Sequence, residues 1–224
     1  MTGDIMPRVV ALAGATGRTG GRVLARLLDA GRAARVLVRD PARLPAALRE
    51  RLPADAIVVG DARDPDAARR LVAGADALVS TLGMADTTVA STDLSDSLRT
   101  LVAALTAVGA RRVIAVANTV VLPHPDGGLR ADRPLPDWLR HIAAEHVRQY
   151  EVLLDAAARD GVAWTLFCPS TLTPDRAGRW RTAVDDLPPG AETTGLDDLA
   201  EAIVRELDEE RFVGKRVGIV SDAG

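Results

Sequence analysis

The sequence has little of what would link it to an oxidising compartment, a membrane or a nucleic acid. Its single cysteine, Cys168, cannot form an internal disulfide, which fits a reducing compartment. No run approaches the ~20 consecutive apolar residues that span a bilayer, and no basic segment precedes a long apolar core at the start, as in a secretory signal. Aromatic residues make up 3% and the net charge is −3, which favours neither base stacking nor a basic surface. We therefore expect a cytoplasmic protein that binds neither nucleic acid nor membrane.

What is present favours one globular domain. The 224 residues are 47% hydrophobic, which suits a single domain (1–224) with a sizeable core. Short apolar segments alternate along the chain with longer amphipathic ones. The predicted strands are 8–13, 35–38, 56–59, 77–80, 112–117, 163–168 and 217–220, and the predicted helices are 19–30, 41–51, 65–73, 94–109, 138–160 and 196–209.

The predicted strands are apolar throughout, which is typical of strands buried on both faces. Strands of this kind, separated by helices, predict an α/β fold of Rossmann type, with a doubly wound, mainly parallel sheet of about six or seven strands. The expected order is 3-2-1-4-5-6, with the last strand at the edge. Two irregular segments, 122–136 and 173–194, are expected beyond the carboxyl ends of the strands, where such sheets bind ligands.

A glycine-rich stretch, ALAGATGRTGGRVL, lies where the first strand meets the first helix. Gly14, Gly17 and Gly20 have GxxGxxG spacing. Glycine lets the backbone approach a pyrophosphate, and the first N–H groups of the following helix then face the anion. The alternative is a tight strand-to-helix turn with no ligand. The position between a strand and a helix favours a dinucleotide cradle.

Arginines, and not an acidic residue, follow the second strand. Arg39 stands where an enzyme that prefers NAD usually carries a carboxylate for the ribose 2′-hydroxyl; Arg43 follows one turn later and Arg18 lies in the glycine loop. Guanidinium groups suit a 2′-phosphate, which predicts NADP(H) as the cofactor. Asp40 is expected to cap the following helix. The alternative is that Arg39 and Arg43 are solvated surface charges.

Several motifs together resemble the atypical short-chain dehydrogenase/reductases, in the group that includes the NmrA-like proteins. They are GATGRTG, VLVRDPARLP, VVGDARD, LVAGADALVSTLG, LVAALTAVGARRVIAVAN and EHVRQYEVLLDAAARDGVAWTLFCPSTL, spread over residues 8–220. Within that group the sequence is most similar to the biliverdin-IXβ reductases, also called flavin reductases. The resemblance implies a single NAD(P)-binding Rossmann domain.

The resemblance also implies a role for individual residues. Asp61 has a second reading as a helix N-cap, which is compatible with a ligand contact. The implied contacts are Gly14, Thr16, Gly17, Arg18 and Thr19 with the pyrophosphate, Arg39 and Arg43 with the 2′-phosphate, Asp61 and Ala62 with adenine, Leu82 and Gly83 with the riboses, and Asn118, Pro169, Ser170 and Thr171 with the nicotinamide.

The departures from the family pattern concern the proton donor. Standard members pair a tyrosine with a lysine four residues later, but Tyr150 is followed at that spacing by Leu154, and residues 138–162 contain no lysine. Asn118 and Thr171 stand where the biliverdin reductases have a serine and a histidine, and neither has a pKa suited to acid catalysis. The candidate catalytic residues are Asn118, Thr171 and Tyr150. We expect Tyr150 and His146, at i and i+4, to reach one solvent opening, unless they are ordinary amphipathic residues.

These observations predict an NADPH-dependent reductase that transfers hydride to a flavin or a quinone-like aromatic small molecule, without a Tyr/Lys relay. Two alternatives remain: a non-catalytic NADP-sensing regulator of NmrA-like type, and a tailoring enzyme, an isomerase or cyclase, on the same fold. No metal site is expected, since His124 and His141 lack a second ligand at metal spacing. The expected state is a monomer or a homodimer.

Overall fold

The apolar segments form the strands of one central sheet in the computed structural model, which describes residues 9–174, 178–190 and 192–222. The strands are β1 Val9–Ala13, β2 Ala33–Val38, β3 Ile57–Val59, β4 Ala77–Ser80, β5 Arg112–Val116, β6 Ala163–Pro169, β7 Thr171–Thr173, β8 Trp180–Val184, β9 Thr193–Gly195 and β10 Lys215–Ser221. The α-helices are α1 Arg18–Asp29, α2 Ala46–Arg49, α3 Pro65–Val72, α4 Asp93–Ala107, α5 Asp137–Asp160 and α6 Leu196–Glu209. Four 3₁₀ turns lie at Pro41–Arg43, Ala54–Ala56, Thr119–Val121 and Arg130–Asp132.

The sheet has the order β3-β2-β1-β4-β5-β6-β10-β8 in the described part of the chain, and its first seven strands are parallel. The predicted order 3-2-1-4-5-6 and the doubly wound α/β fold are confirmed. Parallel pairing requires crossover connections, which the helices supply, and it leaves the carboxyl ends of all these strands at one edge.

The sequence predicted the last strand at the edge of the sheet, but β10 lies between two other strands. It pairs in parallel with β6 on one side and antiparallel with β8 on the other. Strand β8 belongs to the segment 173–194, which we expected to be irregular; its side chains are mostly half-buried and carry little apolar pattern. Gly218 of β10 permits this pairing, since a Cβ there would stand 2.0 Å from the carbonyl oxygen of Asp186, just after β8.

The predicted helix 41–51 is also wrong as a single element. It is divided into a 3₁₀ turn, Pro41–Arg43, and the four-residue helix α2. Pro45 lies between them, and Leu44 before it is extended, at φ −72° and ψ 132°. A residue that precedes proline is pushed out of the helical region, and proline has no N–H to continue the ladder.

Two hydrophobic cores cover the two faces of the sheet. Helices α3, α4 and α5 pack on one face, around Leu71, Leu101 and Leu153. Helices α1 and α6 pack on the other, around Leu24 and Ile203. Among the described residues, no helix combines the length and the apolar character of a membrane span.

A buried ion pair closes the amino-terminal edge of the sheet. Arg112 of β5 and Glu206 of α6 are 2.7 Å apart, and their side chains are only 7% and 2% exposed. Glu206 Oε1 also accepts hydrogen bonds from Thr165 Oγ1 and Phe212 N, both at 2.9 Å. Burial lowers the pKa of Arg112, and the nearby carboxylates oppose that shift. The charges are therefore compensated locally, far from the carboxyl edge where ligands bind.

Candidate cofactor-binding site

The glycine loop between β1 and α1 has no room for side chains at two positions. Gly14 has φ +94°, and a Cβ there would stand 2.6 Å from Thr81 Oγ1. At Gly20 a Cβ would stand 2.1 Å from the carbonyl oxygen of Gly14, because the first turn of α1 packs directly on the loop. Gly17 is less confined: a Cβ there would lie 3.2 Å from the same oxygen.

The start of α1 is free of a side-chain cap. Gly17 occupies the N-cap position and makes no side-chain hydrogen bond, and the first turn carries no acidic residue. Arg18 stands there, exposed, with Thr19 beside it half-buried. The other long crossover helices differ, since α3 has Asp64 at its cap and α4 has Asp93 and Asp96 in its first turn. A helix start without acidic groups suits a pyrophosphate, because its N–H groups and dipole favour an anion.

A cavity of about 260 Å³ opens beside this loop, at the carboxyl ends of β1 to β4. It unites seven of the residues predicted for the cofactor with others from the β4–α4 connection. Its lining residues are Ala13, Gly14, Thr16, Leu37, Val38, Arg39, Gly60, Asp61, Ala62, Arg63, Leu82, Gly83, Met84, Ala85, Asp86, Val89, Ser91, Asp93, Leu94 and Ser97. The glycine loop and the cavity therefore adjoin each other at the carboxyl edge of the sheet.

Arg39 lines the cavity, whereas Arg43 is not among the lining residues of the described chain. Both are exposed. Asp40 accepts a hydrogen bond of 2.9 Å from Ala42 N and caps the 3₁₀ turn that carries Arg43. Arg39 is thus the arginine that stands directly at the cavity, and Arg43 is one turn behind it.

Arg63 and Asp93 are functional candidates that the sequence reasoning missed. Asp61 Oδ1 accepts from Arg63 N at 2.8 Å and Nε at 3.0 Å, and Asp61 Oδ2 accepts from Nη2 at 3.1 Å. Arg63 Nη1 also donates to Asp93 Oδ1. The hydrogen bonds from Arg63 lower the pKa of Asp61, with a smaller contribution from the charge of Arg39. Asp61 does not cap α3, because Asp64 occupies that position.

The residues predicted for the nicotinamide end lie outside the cavity lining in the described chain. Asn118 Oδ1 accepts from Val120 N at 3.0 Å and caps a 3₁₀ turn, which leaves the amide nitrogen available as a donor. Pro169 ends β6, buried. The Ser170 hydroxyl donates to the carbonyl of Glu192 at 2.7 Å. These residues follow β5 and β6, so they share the carboxyl edge with the cavity but not its walls.

Thr171 and Trp180 belong to strands. Thr171 begins β7 with an exposed side chain and pairs in parallel with Thr193 of β9. Trp180 lies in the segment 173–194, which we expected to be irregular, yet it begins β8, and the Arg205 guanidinium carbon lies 5.7 Å from its ring centroid. Trp180 therefore packs toward α6, on the face of the sheet opposite to α5.

His146 does not reach a solvent opening. Only 7% of it is exposed, and its Nδ1 lies 2.7 Å from Gln149 Oε1. Burial lowers the pKa of His146 to about 4, although the hydrogen bond to Gln149 and the charge of Glu145 act in the opposite direction. The predicted opening shared with Tyr150 is wrong, because this face of α5 turns inward.

Tyr150 is held between two side chains. Its ring meets that of Trp164 edge-on, with centroids 5.8 Å apart, and the guanidinium carbon of Arg216 lies 4.8 Å from its centroid. Such packing positions the ring through edge-to-face and cation–π contacts. A catalytic role for Tyr150 remains a prediction.

A buried carboxylate on α5 holds the start of α4 against the cavity. Glu145 is fully buried and accepts hydrogen bonds from Leu94 N at 2.8 Å and Ser95 N at 3.0 Å. Arg148 Nε donates to Glu145 Oε1 at 2.8 Å, and Arg148 Nη2 donates to the carbonyl of Ser91. Leu94 and Ser91 line the cavity. The long helix α5 therefore fixes the part of the cavity wall formed by Ser91 and Leu94.

Metal and thiol chemistry find little support in the described residues. They contain no group of three or more histidine, cysteine, aspartate or glutamate side chains placed to hold a metal ion. Cys168 is fully buried, and burial raises the pKa of its thiol to about 12, so it stays protonated.

Comparison with solved structures extends the fold assignment. A candidate NADH-flavin reductase of Streptococcus pneumoniae TIGR4 matches with a TM-score of 0.76 at 17% identity, over 96% of this chain and 100% of that one. A candidate epimerase of Bacteroides thetaiotaomicron matches at 0.76 and 20% identity, over 97% and 99%. A candidate exported protein of Burkholderia pseudomallei matches at 0.74 and 23%, over 95% and 98%. At these identities the likeness is one of fold.

The sequence itself matches one family. A model described as NAD(P)H-binding aligns with residues 14–210, from the first glycine of the loop to the end of α6. That span includes the cradle, the cavity and the residues after β5 and β6. With a glycine cradle, an uncapped helix start and a cavity at the carboxyl edge, the chain belongs to the NAD(P)H-binding family.

Proposed function

We propose that this protein is an NADPH-dependent reductase that transfers hydride to a flavin or a quinone-like aromatic small molecule. The observation that carries the cofactor choice is Arg39, which lines the cavity where the second strand ends. A ribose 2′-phosphate at this point gains charge-assisted hydrogen bonds from a guanidinium, whereas a bare ribose gains little from it. Arg43, one turn later, adds a second positive charge to the same side.

The side chains themselves need to supply little of the reaction chemistry. The nicotinamide supplies the hydride when the cofactor is bound, and the chain contributes binding and orientation. The Asn118 amide nitrogen is a donor for a substrate carbonyl, since the oxygen of the same amide is held by Val120 N. Ser170 and Thr171, after β6, would border the nicotinamide. None of these groups is an acid near neutral pH.

This lack of an acid selects the substrate class. A flavin or a quinone accepts hydride on a conjugated system and can take its proton from water, so no Tyr/Lys pair is required. The similarity of fold to a candidate NADH-flavin reductase is in keeping with such an acceptor. We further propose that the protein acts in the cytoplasm, because its one cysteine is free and buried. We also propose that it is a monomer or a homodimer.

The test is turnover of NADPH and NADH with FMN, FAD and simple quinones, followed by the loss of nicotinamide absorbance. The proposal expects NADPH oxidation with at least one of these acceptors and slower oxidation of NADH. Tight binding of NADPH without turnover of any acceptor would contradict a reductase.

Replacement of Arg39 should change the cofactor preference. Arg39→Ala is expected to weaken NADPH binding about five- to thirtyfold and to leave NADH binding nearly unchanged, because only NADPH carries the phosphate. Adding Arg43→Ala should remove most of the remaining preference. Calorimetric titration of both nucleotides at one fixed salt concentration measures this, since exposed charges are screened by salt. Arg49→Ala, an exposed arginine of α2, serves as the control. Equal affinity of the unaltered protein for both nucleotides would remove Arg39 from the site.

Replacement of Asn118 should separate turnover from cofactor binding. Asn118→Ala is expected to lower kcat about tenfold, the effect of one lost hydrogen bond, with NADPH affinity nearly unchanged. Asn118→Asp keeps an oxygen for Val120 N and removes the amide donor, so it should lower kcat without loosening the 3₁₀ turn. Equal losses of turnover and of affinity in Asn118→Ala would show that the residue is structural.

A second candidate function is an NADP-sensing regulator without turnover. It is favoured by the surroundings of the titratable side chains of α5: His146 is buried and hydrogen-bonded to Gln149, and the Tyr150 ring is packed against Trp164 and Arg216. The turnover test above decides between the two functions.

A further inference from the structure

We propose that Arg63 forms the outer wall of the adenine pocket and recognises the base by stacking its guanidinium plane on it. The inference rests on the cofactor site of the proposed function, but not on its preference for NADPH or on its reaction. It comes from two contacts of one side chain. Arg63 follows β3 and forms ion pairs with Asp61 and with Asp93 at the start of α4. All three residues line the cavity.

Most of the edge of the guanidinium is already occupied. Its Nε and Nη2 donate to the two oxygens of Asp61 at 3.0 and 3.1 Å, and its Nη1 donates to Asp93 Oδ1 at 2.5 Å. Three of the five N–H donors of an arginine are thus used within its plane. What remains open to a ligand is chiefly the flat face, which is the surface that stacks on an aromatic ring.

Arg63 stands at a boundary between cavity and solvent. Its side chain is 49% exposed, and it lines the cavity together with both of its carboxylate partners. Asp93 is thirty residues away in sequence and belongs to the first turn of α4. The bridge therefore joins two separate elements that both line the cavity.

The charge balance argues for a base and against a phosphate as the partner of Arg63. Two carboxylates, Asp61 and Asp93, contact its guanidinium, so little net positive charge is left for an anion. Arg39 lines the same cavity and is the arginine that we assign to the 2′-phosphate. Arg39 is thus the partner of the 2′-phosphate, and Arg63 is the partner of the adenine.

Asp61 holds the guanidinium of Arg63 in place. Its carboxylate has about four acceptor positions, and Arg63 occupies three of them through N, Nε and Nη2. These hydrogen bonds lower the pKa of Asp61, so the carboxylate is an acceptor for Arg63 at neutral pH. Asp61 and Asp93 thus fix the plane of the guanidinium, and a base stacked on its face needs no hydrogen bond from Asp61.

The experiment compares NADH with NADPH, which share the adenine and differ in the phosphate. Arg63→Ala is expected to weaken both by the same factor, about five- to 150-fold, the range of one lost stacking contact. Arg63→Lys keeps the charge but has no flat face, so it should weaken both nearly as much. Arg69→Ala, an exposed arginine of α3 paired with Asp66, is the control and should change neither. Calorimetric titration at fixed salt gives the affinities, and thermal unfolding of each variant shows that the fold is intact.

Three results would overturn the inference. One is unchanged affinity of Arg63→Ala for both nucleotides, and another is a loss confined to NADPH, which would make Arg63 a phosphate ligand. The third is full retention of affinity by Arg63→Lys, which would make the charge, and not the plane, the cause. Failure of the proposed function looks different: equal affinity of the unaltered protein for NADH and NADPH, or no turnover, leaves the Arg63 comparison intact.

Discussion

Gly20→Ala is expected to weaken NADPH and NADH binding about 100-fold. The added Cβ would stand 2.1 Å from the carbonyl oxygen of Gly14 and 2.6 Å from its carbonyl carbon, distances that no backbone tolerates. Either α1 or the glycine loop must move, and the loss of a backbone hydrogen bond to the charged pyrophosphate, about 1.5–3 kcal/mol, corresponds to an affinity loss of up to about 100-fold. The same overpacking should lower the free energy of unfolding by about 1–3 kcal/mol.

The neighbouring glycine offers a matched control. Gly21 lies in the same turn of α1, but a Cβ there would meet only Ala15 O, at 3.4 Å, an ordinary contact. Gly21→Ala should therefore leave nucleotide affinity unchanged and raise stability by up to about 1 kcal/mol, because alanine is the better helix former. Calorimetric titration and urea unfolding of both variants measure this. Equal affinities of Gly20→Ala and the unaltered protein would show that the loop is no cradle.

Glu206→Ala is expected to lower the free energy of unfolding by about 3–5 kcal/mol. The change leaves Arg112, 7% exposed, with Glu210 at 3.9 Å as its remaining carboxylate partner, and it removes the acceptor of Thr165 Oγ1 and Phe212 N. Burial lowers the pKa of Arg112 and Glu206 opposes that shift, so the loss of Glu206 leaves the buried charge less compensated. Linear extrapolation of urea unfolding measures the loss.

A surface glutamate of the same helix is the comparison for Glu206. Glu209 pairs with Arg205, and their side chains are 48% and 55% exposed. Glu209→Gln should cost less than about 1 kcal/mol, since exposed pairs gain little from their Coulomb attraction. If both variants lost the same small amount, the buried pair would not be a determinant of stability. The effect on nucleotide affinity should be slight in both, because the pair lies at the amino-terminal edge.

The parts of the fold that follow from local pattern were predictable from the sequence. The strands are apolar and separated by helices of the right length, so their parallel order follows from the rules of crossover connections. The close packing of the glycine loop on α1 was equally predictable, because Gly14 and Gly20, which are near each other in sequence, lie in contact. Strand β8 was not, since its half-buried side chains carry no clear alternation and its pairing depends on β10, beyond α6.

The sequence predicts a site residue only where the position of that residue in the fold is informative by itself. Arg39 stands at a position whose chemistry is known from the fold alone. Arg63 and Glu145 act through partners in other elements, Asp93 and the start of α4, so their burial and bridging are properties of the tertiary structure. For the same reason His146 was misplaced: helical spacing puts it near Tyr150 but does not tell which side of α5 faces the core.

The interior position of β10 sets an order of events during synthesis. Strand β8 leaves the ribosome before its neighbour in the sheet, because β10 begins at Lys215, about 30 residues after β8 ends at Val184. At roughly 5–20 residues per second, β8 waits on the order of 2–6 seconds for that neighbour. During this interval the edge of β6 is uncovered as well, since β10 is the strand that later pairs with it. The nascent chain thus carries one unpaired strand, β8, and one open edge of β6, and both are paired by the arrival of a single seven-residue strand.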